Sequence, residues 1–348
     1  MHPIVAKNHI TSIHPLWAVE GGRIAINGMN LITEGFKLPE VYLGSEQAQV
    51  VHASSQSVSL IVPTGLKRGH TPVRFGDALG ETVFVEIGSR VASGLHQVDN
   101  PVIDREGYLY LTYSGARGEQ SPVSVFRVRR DGFREPFVSG ITNATSMAFA
   151  PDNQLYVSSR FDGSVYRVSQ DGSFDVFISD LGVASGLAFS PDGTLYVGDR
   201  SGTIFRVGTS GHATAFATLP ASVAAFHLAW GPDDTLYVTS PTMSSCDCVY
   251  RIDQTGKVEK IYRFFGRPQG IAFDAQGLLY VVEALAGMAG LYRVERNGSV
   301  VQVLAASSLV GLAFDPVGGL IVASNNTAYR LDIAIRPYAS DASSLLDS

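Results

Sequence analysis

One short pattern recurs along this chain and limits what it can fold into. At positions 184–199 the sequence reads ASGLAFSPDGTLYVGD, two apolar, β-prone runs joined by Ser-Pro-Asp-Gly. Pro and Gly supply the dihedral angles of a tight turn, so the pattern predicts a strand, a turn and a second strand. Further copies place the start of this second strand at Tyr110, Tyr156, Tyr196, Tyr237, Tyr280 and Ile321. A period of about 40 residues with several short strands per unit is typical of a β-propeller.

Each copy is followed by a third apolar run with an aromatic-Arg pair, as at Tyr166-Arg167 and Tyr250-Arg251. A fourth run follows in five units, but the last unit has none. Residues 89–95 precede the first unit and look like a fourth run, so they predict the strand that closes the last blade. The sequence therefore predicts a six-bladed propeller over residues 89–338, followed by a polar tail at 339–348.

The N-terminal part lacks the repeat of about 40 residues and has a different spacing of apolar runs and turns. After a polar tail at residues 1–9, short apolar runs separated by turn signals occupy residues 10–88, a spacing that predicts a small antiparallel sandwich. The segment ITSIHPLWAVEGGRIAING, which starts at Ile10, resembles the IPT/TIG family of immunoglobulin-like domains. This resemblance implies a sandwich without a disulfide. The predicted class is all-β, an immunoglobulin-like sandwich followed by a six-bladed propeller.

Composition argues against several classes of function. The net charge is -6 and no run of basic residues occurs, which argues against nucleic-acid binding. No apolar run is long enough to insert into a membrane, and the first residues lack the apolar core of a secretory signal. We therefore expect a cytoplasmic protein. Cys246 and Cys248 alone make neither a disulfide framework nor a structural zinc site.

Features that every unit shares are most simply architectural, so function is expected where the units differ. The starts of the inner strands and the ends of the second strands should meet at one mouth of the channel. That mouth is predicted to bind a small molecule or a protein. The predicted ligand-binding residues are Asp99, Asn100, Thr145, Arg160, Ser185, Asp199, Arg200, Phe226, His227, Gln269 and Glu283. Among them, Asp99, His227 and Glu283 are the candidates for catalysis, and Asp99 is the candidate metal ligand.

Over residues 89–335 the repeats resemble the regucalcin/gluconolactonase-like superfamily and also the NHL-repeat propellers. Lactonases of the former group hold one divalent cation, and the resemblance implies ligands at Asp99, Phe226 and Gln269 with a substrate contact at Ser185. Phe cannot bind a metal and Gln is a weak ligand, so we favour a non-catalytic recognition protein without a cofactor. The alternatives are a lactonase that uses calcium, manganese or zinc in a rebuilt site, and a propeller lyase.

Overall fold

A computed structural model describes residues 9–31, 38–75 and 82–338. The regular elements in these ranges are β-strands, which confirms the predicted all-β class. Nothing in the described ranges is a helix with the length and apolar character that a membrane span requires. The predicted tails, residues 1–9 except His9 and residues 339–348, lie outside the described residues.

Within its described residues, the N-terminal domain has eight strands around one hydrophobic core. They are β1 His9–His14, β2 Trp17–Ala18, β3 Arg23–Met29, β4 Val41–Leu43, β5 Glu46–Ala53, β6 Ser57–Ile61, β7 Gly69–Phe75 and β8 Val83–Ile87. Hydrogen-bonded neighbours follow the order β1-β3-β6-β5-β4-β7-β8, and all these pairs are antiparallel. Alternate side chains face inward, so Ile24 and Ile26 of β3 and Val58 and Leu60 of β6 are fully buried.

The other strands form the propeller. They are β9 Ser89–Ser93, β10 Val102–Ile103, β11 Leu109–Thr112, β12 Val125–Val128, β13 Arg134–Val138, β14 Ala144–Phe149, β15 Leu155–Ser159, β16 Val165–Val168, β17 Phe174–Ile178, β18 Ala184–Phe189, β19 Leu195–Asp199, β20 Thr203–Val207, β21 Ala213–Thr218, β22 His227–Trp230, β23 Leu236–Thr239, β24 Asp247–Ile252, β25 Val258–Phe265, β26 Pro268–Phe273, β27 Leu279–Glu283, β28 Gly290–Val294, β29 Val300–Ala305, β30 Leu309–Phe314, β31 Leu320–Ser324 and β32 Thr327–Leu331.

Five four-stranded sheets stand separately, with the strand orders β10-β11-β12-β13, β14-β15-β16-β17, β18-β19-β20-β21, β22-β23-β24-β25 and β30-β31-β32-β9. Strands β26–β29 also pair antiparallel in sequence order. They differ because β29 continues through β2 into the N-terminal domain, so all four belong to a twelve-stranded sheet. The separate blades therefore number five, where the sequence predicted six.

The turn between the first two strands of a blade is held by its own aspartate. Asp104 accepts hydrogen bonds from two backbone amides of its turn and from the Tyr110 hydroxyl at 2.9 Å. Asp233 accepts a bond from the Tyr237 hydroxyl at 3.0 Å. Burial, together with this carboxylate, raises the pKa of Tyr237 to about 12. The recurring aspartates thus have an architectural role, as predicted from their repetition.

The arginine that follows an aromatic residue in the third strand of each separate blade, and the corresponding arginine of β28, are also engaged. Five of these arginines form ion pairs, namely Arg127–Glu135, Arg167–Asp175, Arg251–Glu259, Arg293–Glu295 and Arg330–Asp315. The sixth, Arg206, lies over the Phe216 ring at 5.7 Å from its centroid. The blades therefore supply each of these cations with a carboxylate or an aromatic face.

Strand β9 joins the two ends of the propeller. It pairs antiparallel with β32, with Ser93 opposite Thr327 and Ser89 opposite Arg330. Ala92 of this strand and the neighbouring Leu95 pack into a core that also contains residues of β11, β31 and β32. This is the pairing that the missing fourth run predicts, and it covers an edge that would otherwise be open.

The two domains share one hydrogen-bonded sheet. Strand β2 pairs in parallel with β8 on one side and with β29 on the other. Just after β2, the Glu20 carboxylate accepts hydrogen bonds from the Arg90 guanidinium and from the Tyr329 hydroxyl, each at 2.7 Å. Gly88 alone lies between β8 and β9. We expect so short a link and so continuous a sheet to hold the domains at a fixed angle.

Candidate mouth of the propeller

A cavity of about 210 Å³ lies where the inner strands begin. Five of the predicted residues line it, Thr145, Arg160, Ser185, Arg200 and Gln269. They meet because each inner strand starts, and each second strand ends, at the same end of its blade. The rest of the lining is mainly small and apolar, with Val98, Val223, Ala224, Ala225 and Val310 beside the polar Gln97 and Asn325.

The two hydroxyl residues of this lining are already hydrogen-bonded. Thr145 donates to the carbonyl of Asn143 at 2.8 Å, and Ser185 donates to the carbonyl of Gly198 at 3.1 Å. Gln269 differs, because its carboxamide has no hydrogen-bond partner within the part of the chain that the structure describes. The hydroxyls therefore shape the cavity, whereas the carboxamide is available to a ligand.

Three arginines line an adjoining cavity of about 410 Å³, Arg117, Arg160 and Arg200. Arg160 and Arg200 belong to both cavities, so the two spaces share a wall. Burial lowers the pKa of Arg160, and the positive charges of Arg200 and Arg117 lower it further. Burial and the charge of Arg160 likewise lower the pKa of His96. The lining of this cavity therefore contains three cations and no acidic residue.

Asp99 and His227 form a buried pair beneath the mouth. Oδ1 of Asp99 lies 2.5 Å from Nδ1 of His227, and the side chains are 4% and 0% exposed. Nε2 of His227 is buried and has no hydrogen-bond partner among the described residues. The pair links the segment before β10 with the first residue of β22, so it holds two blades together across the channel.

Asn100 makes a second link from the same segment. Its carboxamide donates to the carbonyl of Ile271 at 2.9 Å and accepts a bond from the backbone amide of Leu312 at 3.0 Å. Asp99 and Asn100 line a separate cavity of about 310 Å³ formed by the far ends of the inner strands. Residues 97–100 therefore separate this cavity from the mouth cavity, since Gln97 and Val98 line the mouth cavity and Asp99 and Asn100 line the other.

The other predicted residues lie in different surroundings. The Asp199 carboxylate accepts bonds from the backbone amide of Val183 and from the Ser201 hydroxyl. Glu283 accepts bonds from three backbone amides, those of Gly266, Arg267 and Leu285. Phe226 is fully buried in the core between two neighbouring blades. The structure thus keeps Asp199 and Glu283 in separate loop-holding networks, apart from Asp99.

Sequence reasoning missed Arg117 as a contributor to this end of the propeller. It lies in the loop between β11 and β12, one of the longer loops at this mouth, and its side chain faces the cavity that Arg160 and Arg200 line. The available signal was the length of that loop together with its only basic residue. No periodic pattern identifies such a residue, because it belongs to an insertion.

The residues present do not fit the divalent cation that the lactonase resemblance implies. Of the implied ligands, Asp99 is bonded to His227 and to the amide of Asn100, and Phe226 has no donor atom. The described residues contain no group of three or more His, Cys, Asp or Glu side chains arranged to hold a metal. A hard cation prefers charged oxygen ligands, and among the implied ligands only Asp99 has a carboxylate, whose Oδ1 already accepts a hydrogen bond from the Asn100 amide and contacts His227.

Comparison with known proteins supports the same architecture. Residues 9–84 match the IPT/TIG domain. This match confirms the resemblance seen in the sequence, and we refer to residues 9–84 as the TIG domain. No curated protein matches the chain.

Solved structures of similar fold cover most of this chain. An auxiliary nutrient binding protein from Bacteroides thetaiotaomicron is 14% identical, with 94% of this chain and 98% of that chain covered and a TM-score of 0.55. A proposed gluconolactonase is 17% identical, with 72% and 93% covered and a TM-score of 0.60. A virginiamycin B lyase from Staphylococcus aureus, solved with quinupristin, is 15% identical, with 89% and 99% covered and a TM-score of 0.53. These likenesses show a shared propeller fold.

Proposed function

We propose that this protein is a recognition propeller that binds a small molecule at its mouth. The observation that carries the proposal is that some polar side chains are already hydrogen-bonded within loops, whereas others face the cavity with free donors. The acidic candidates Asp199 and Glu283 are used to hold loops, whereas Arg160, Arg200 and Gln269 face a cavity with hydrogen-bond donors to spare. A concave space with apolar walls and a few free polar groups is typical of a small-molecule site. The nutrient-binding relative supports a binding role.

We further propose that strands β26–β29 act as a sixth blade. They pair in the same order as the separate blades, and β26 packs between β22 and β30 as an inner strand would. The TIG domain then serves as a rigid support, since β2 extends this blade into it. Six blades would surround a mouth to which each inner strand contributes one end.

Filling the mouth cavity is expected to weaken ligand binding strongly without unfolding the chain. Ala224 is half-buried in the loop before β22 and lines the cavity, so Ala224→Trp places an indole in a space of about 210 Å³. The matched control is Val317→Trp, at a residue that is 60% exposed in the turn between β30 and β31. An NMR screen of uncharged fragments against the three proteins measures binding.

We expect fragments to bind the unmodified protein and Val317→Trp alike, and to bind Ala224→Trp at least about tenfold more weakly, which corresponds to 1.4 kcal/mol. Fragments that bind Ala224→Trp as well as they bind the unmodified protein would show that the ligand site lies elsewhere.

The alternative proposal is an enzyme, either a lactonase-like hydrolase or a lyase. The observation in its favour is the His227 imidazole, whose Nδ1 contacts Asp99 and whose Nε2 has no partner among the described residues. A carboxylate that orients an imidazole in this way is a common arrangement for proton transfer. Against it, both side chains are buried and His227 does not line the mouth cavity.

Metal titration separates the binder from a metal-dependent lactonase. Because Asp99 is bonded to His227 and to the amide of Asn100, we expect no binding of calcium, manganese or zinc tighter than about ten micromolar, roughly -7 kcal/mol. The measurement is calorimetric titration of the chelator-treated protein, with Asp99→Ala as the comparison. Tight binding that disappears in Asp99→Ala would refute the recognition proposal and favour the lactonase.

A further inference from the structure

The mouth carries a cluster of three cations on three neighbouring loops. Arg117 lies in the loop after β11, Arg160 directly follows β15 and Arg200 directly follows β19. All three line one cavity of about 410 Å³. Since the second strands end at the same end of their blades, the fold itself brings these side chains together.

The Asp199 carboxylate, which accepts hydrogen bonds from Val183 and Ser201 of this cavity wall, makes no hydrogen bond to these arginines within the described residues. In the described ranges, none of the three guanidinium groups forms an ion pair with a carboxylate, although five of the six blade arginines do. Arg160 donates one long hydrogen bond, 3.3 Å, to the carbonyl of Gly115, and Arg200 donates one of 3.4 Å to the carbonyl of Val223. The Nε atoms of both arginines are buried without a partner among the described residues. Most of their hydrogen-bonding capacity is therefore free.

Keeping such a cluster costs the folded state free energy. Burial and the charges of Arg200 and Arg117 lower the pKa of Arg160, which means that its charged form is disfavoured where it lies. Buried donors without acceptors add a second cost. A bound anion would offset both costs at once, by supplying opposite charge and acceptor oxygens.

We infer that Arg117, Arg160 and Arg200 bind an anionic group, a carboxylate or a phosphate, of the ligand that the mouth receives. The inference rests on the proposed recognition function and names the class of ligand. A guanidinium group presents paired N–H donors that match two oxygens of such a group. The adjoining mouth cavity, with Val98, Val310 and the Gln269 carboxamide, then holds an uncharged body. The ligand class is a small organic acid or a phosphate ester.

The test uses inorganic phosphate and succinate as probes in calorimetric titrations at constant ionic strength. The full chain is compared with the double variant Arg160→Gln/Arg200→Gln and with the control Arg296→Gln. Arg296 is exposed in the turn between β28 and β29, at the opposite end of the blades. We expect the full chain and the control to bind at least one probe, and the double variant to bind it at least about tenfold more weakly.

Tighter binding of succinate than of phosphate would indicate a carboxylate site, and the reverse would indicate a phosphate site.

The double variant should melt no lower than the full chain when no anion is present. The two substitutions remove the repulsion among the arginines and cost only two long hydrogen bonds. Equal affinity of the double variant and the full chain for both probes would overturn the inference. Failure of the full chain to bind either probe would overturn it too.

The inference and the recognition function fail separately. If uncharged fragments bind the full chain but not Ala224→Trp, while neither anion binds, recognition at the mouth stands and the arginine site falls. If the anions bind through the arginines while no fragment occupies the mouth cavity, the result supports the arginine site and refutes ligand binding in the mouth cavity.

Discussion

Deletion of residues 1–95 is expected to lower the unfolding temperature by roughly 10 °C relative to the full chain. The deletion removes β9, which leaves β32 without its outer partner. It also removes Ala92 and Leu95, so the core residues of β11, β31 and β32 that pack against them become exposed. It also removes β2 and with it the pairing of β29. Differential scanning calorimetry at a single protein concentration measures the change.

Deletion of residues 1–88 is the matched control, because it also removes the TIG domain and β2 but leaves β9 in place. We expect it to cost about half as much, roughly 5 °C, through loss of the sheet that β2 continues. An exposed edge strand is a template for pairing with another chain, so the longer deletion, which exposes β32 as well as β29, should self-associate more strongly as concentration rises. Equal melting and equal self-association of the two shortened chains would contradict closure by β9.

The propeller was predictable because its constraints are local and repeated. Each copy carries its own turn, and its second strand is a short apolar run that is buried along its length, as in β19, where all five residues are buried. A missing strand in such an array is visible by comparison with its neighbours, which is how residues 89–95 were assigned to the last blade. Repetition thus turns a weak local signal into a strong one.

The junction of the domains was not predictable in the same way. Strand β2 is only two residues long, Trp17 and Ala18, and no periodic pattern marks it. Its partners β8 and β29 are distant in sequence. The count of blades depends on this pairing, since it merges β26–β29 with the strands of the TIG domain.

The site was predictable only as a region. Position within the repeat placed Thr145, Arg160, Ser185, Arg200 and Gln269 at one mouth, where they line one cavity. Residue type alone does not reveal which polar groups are already used. Asp199, for example, bonds to its own loop, and among the described residues it forms no ion pair with the adjacent Arg200. Hydrogen-bond partners are set by three-dimensional packing, which spacing does not encode.

Removal of the Asp99 carboxylate is expected to destabilise the chain by about 2–5 kcal/mol. Asp99→Ala leaves two buried donors without their acceptor, Nδ1 of His227 and the backbone amide of Asn100. It also removes a link between the segment before β10 and β22 across the channel. Urea unfolding followed by tryptophan fluorescence measures the free energy of unfolding. The control Asp332→Ala, at an exposed carboxylate, should change it by less than about 0.5 kcal/mol.

A double-mutant cycle with His227→Leu tests whether Asp99 and His227 stabilise the fold as one unit. If they do, Asp99→Ala costs much less once His227 is already replaced, because no imidazole donor is then left buried and unpaired. We expect a coupling free energy of at least about 1 kcal/mol. Additive effects would show that the two residues act independently. A stable Asp99→Ala variant with unchanged unfolding would show that the pair is not needed for the stability of the fold, and would favour the enzyme alternative for His227.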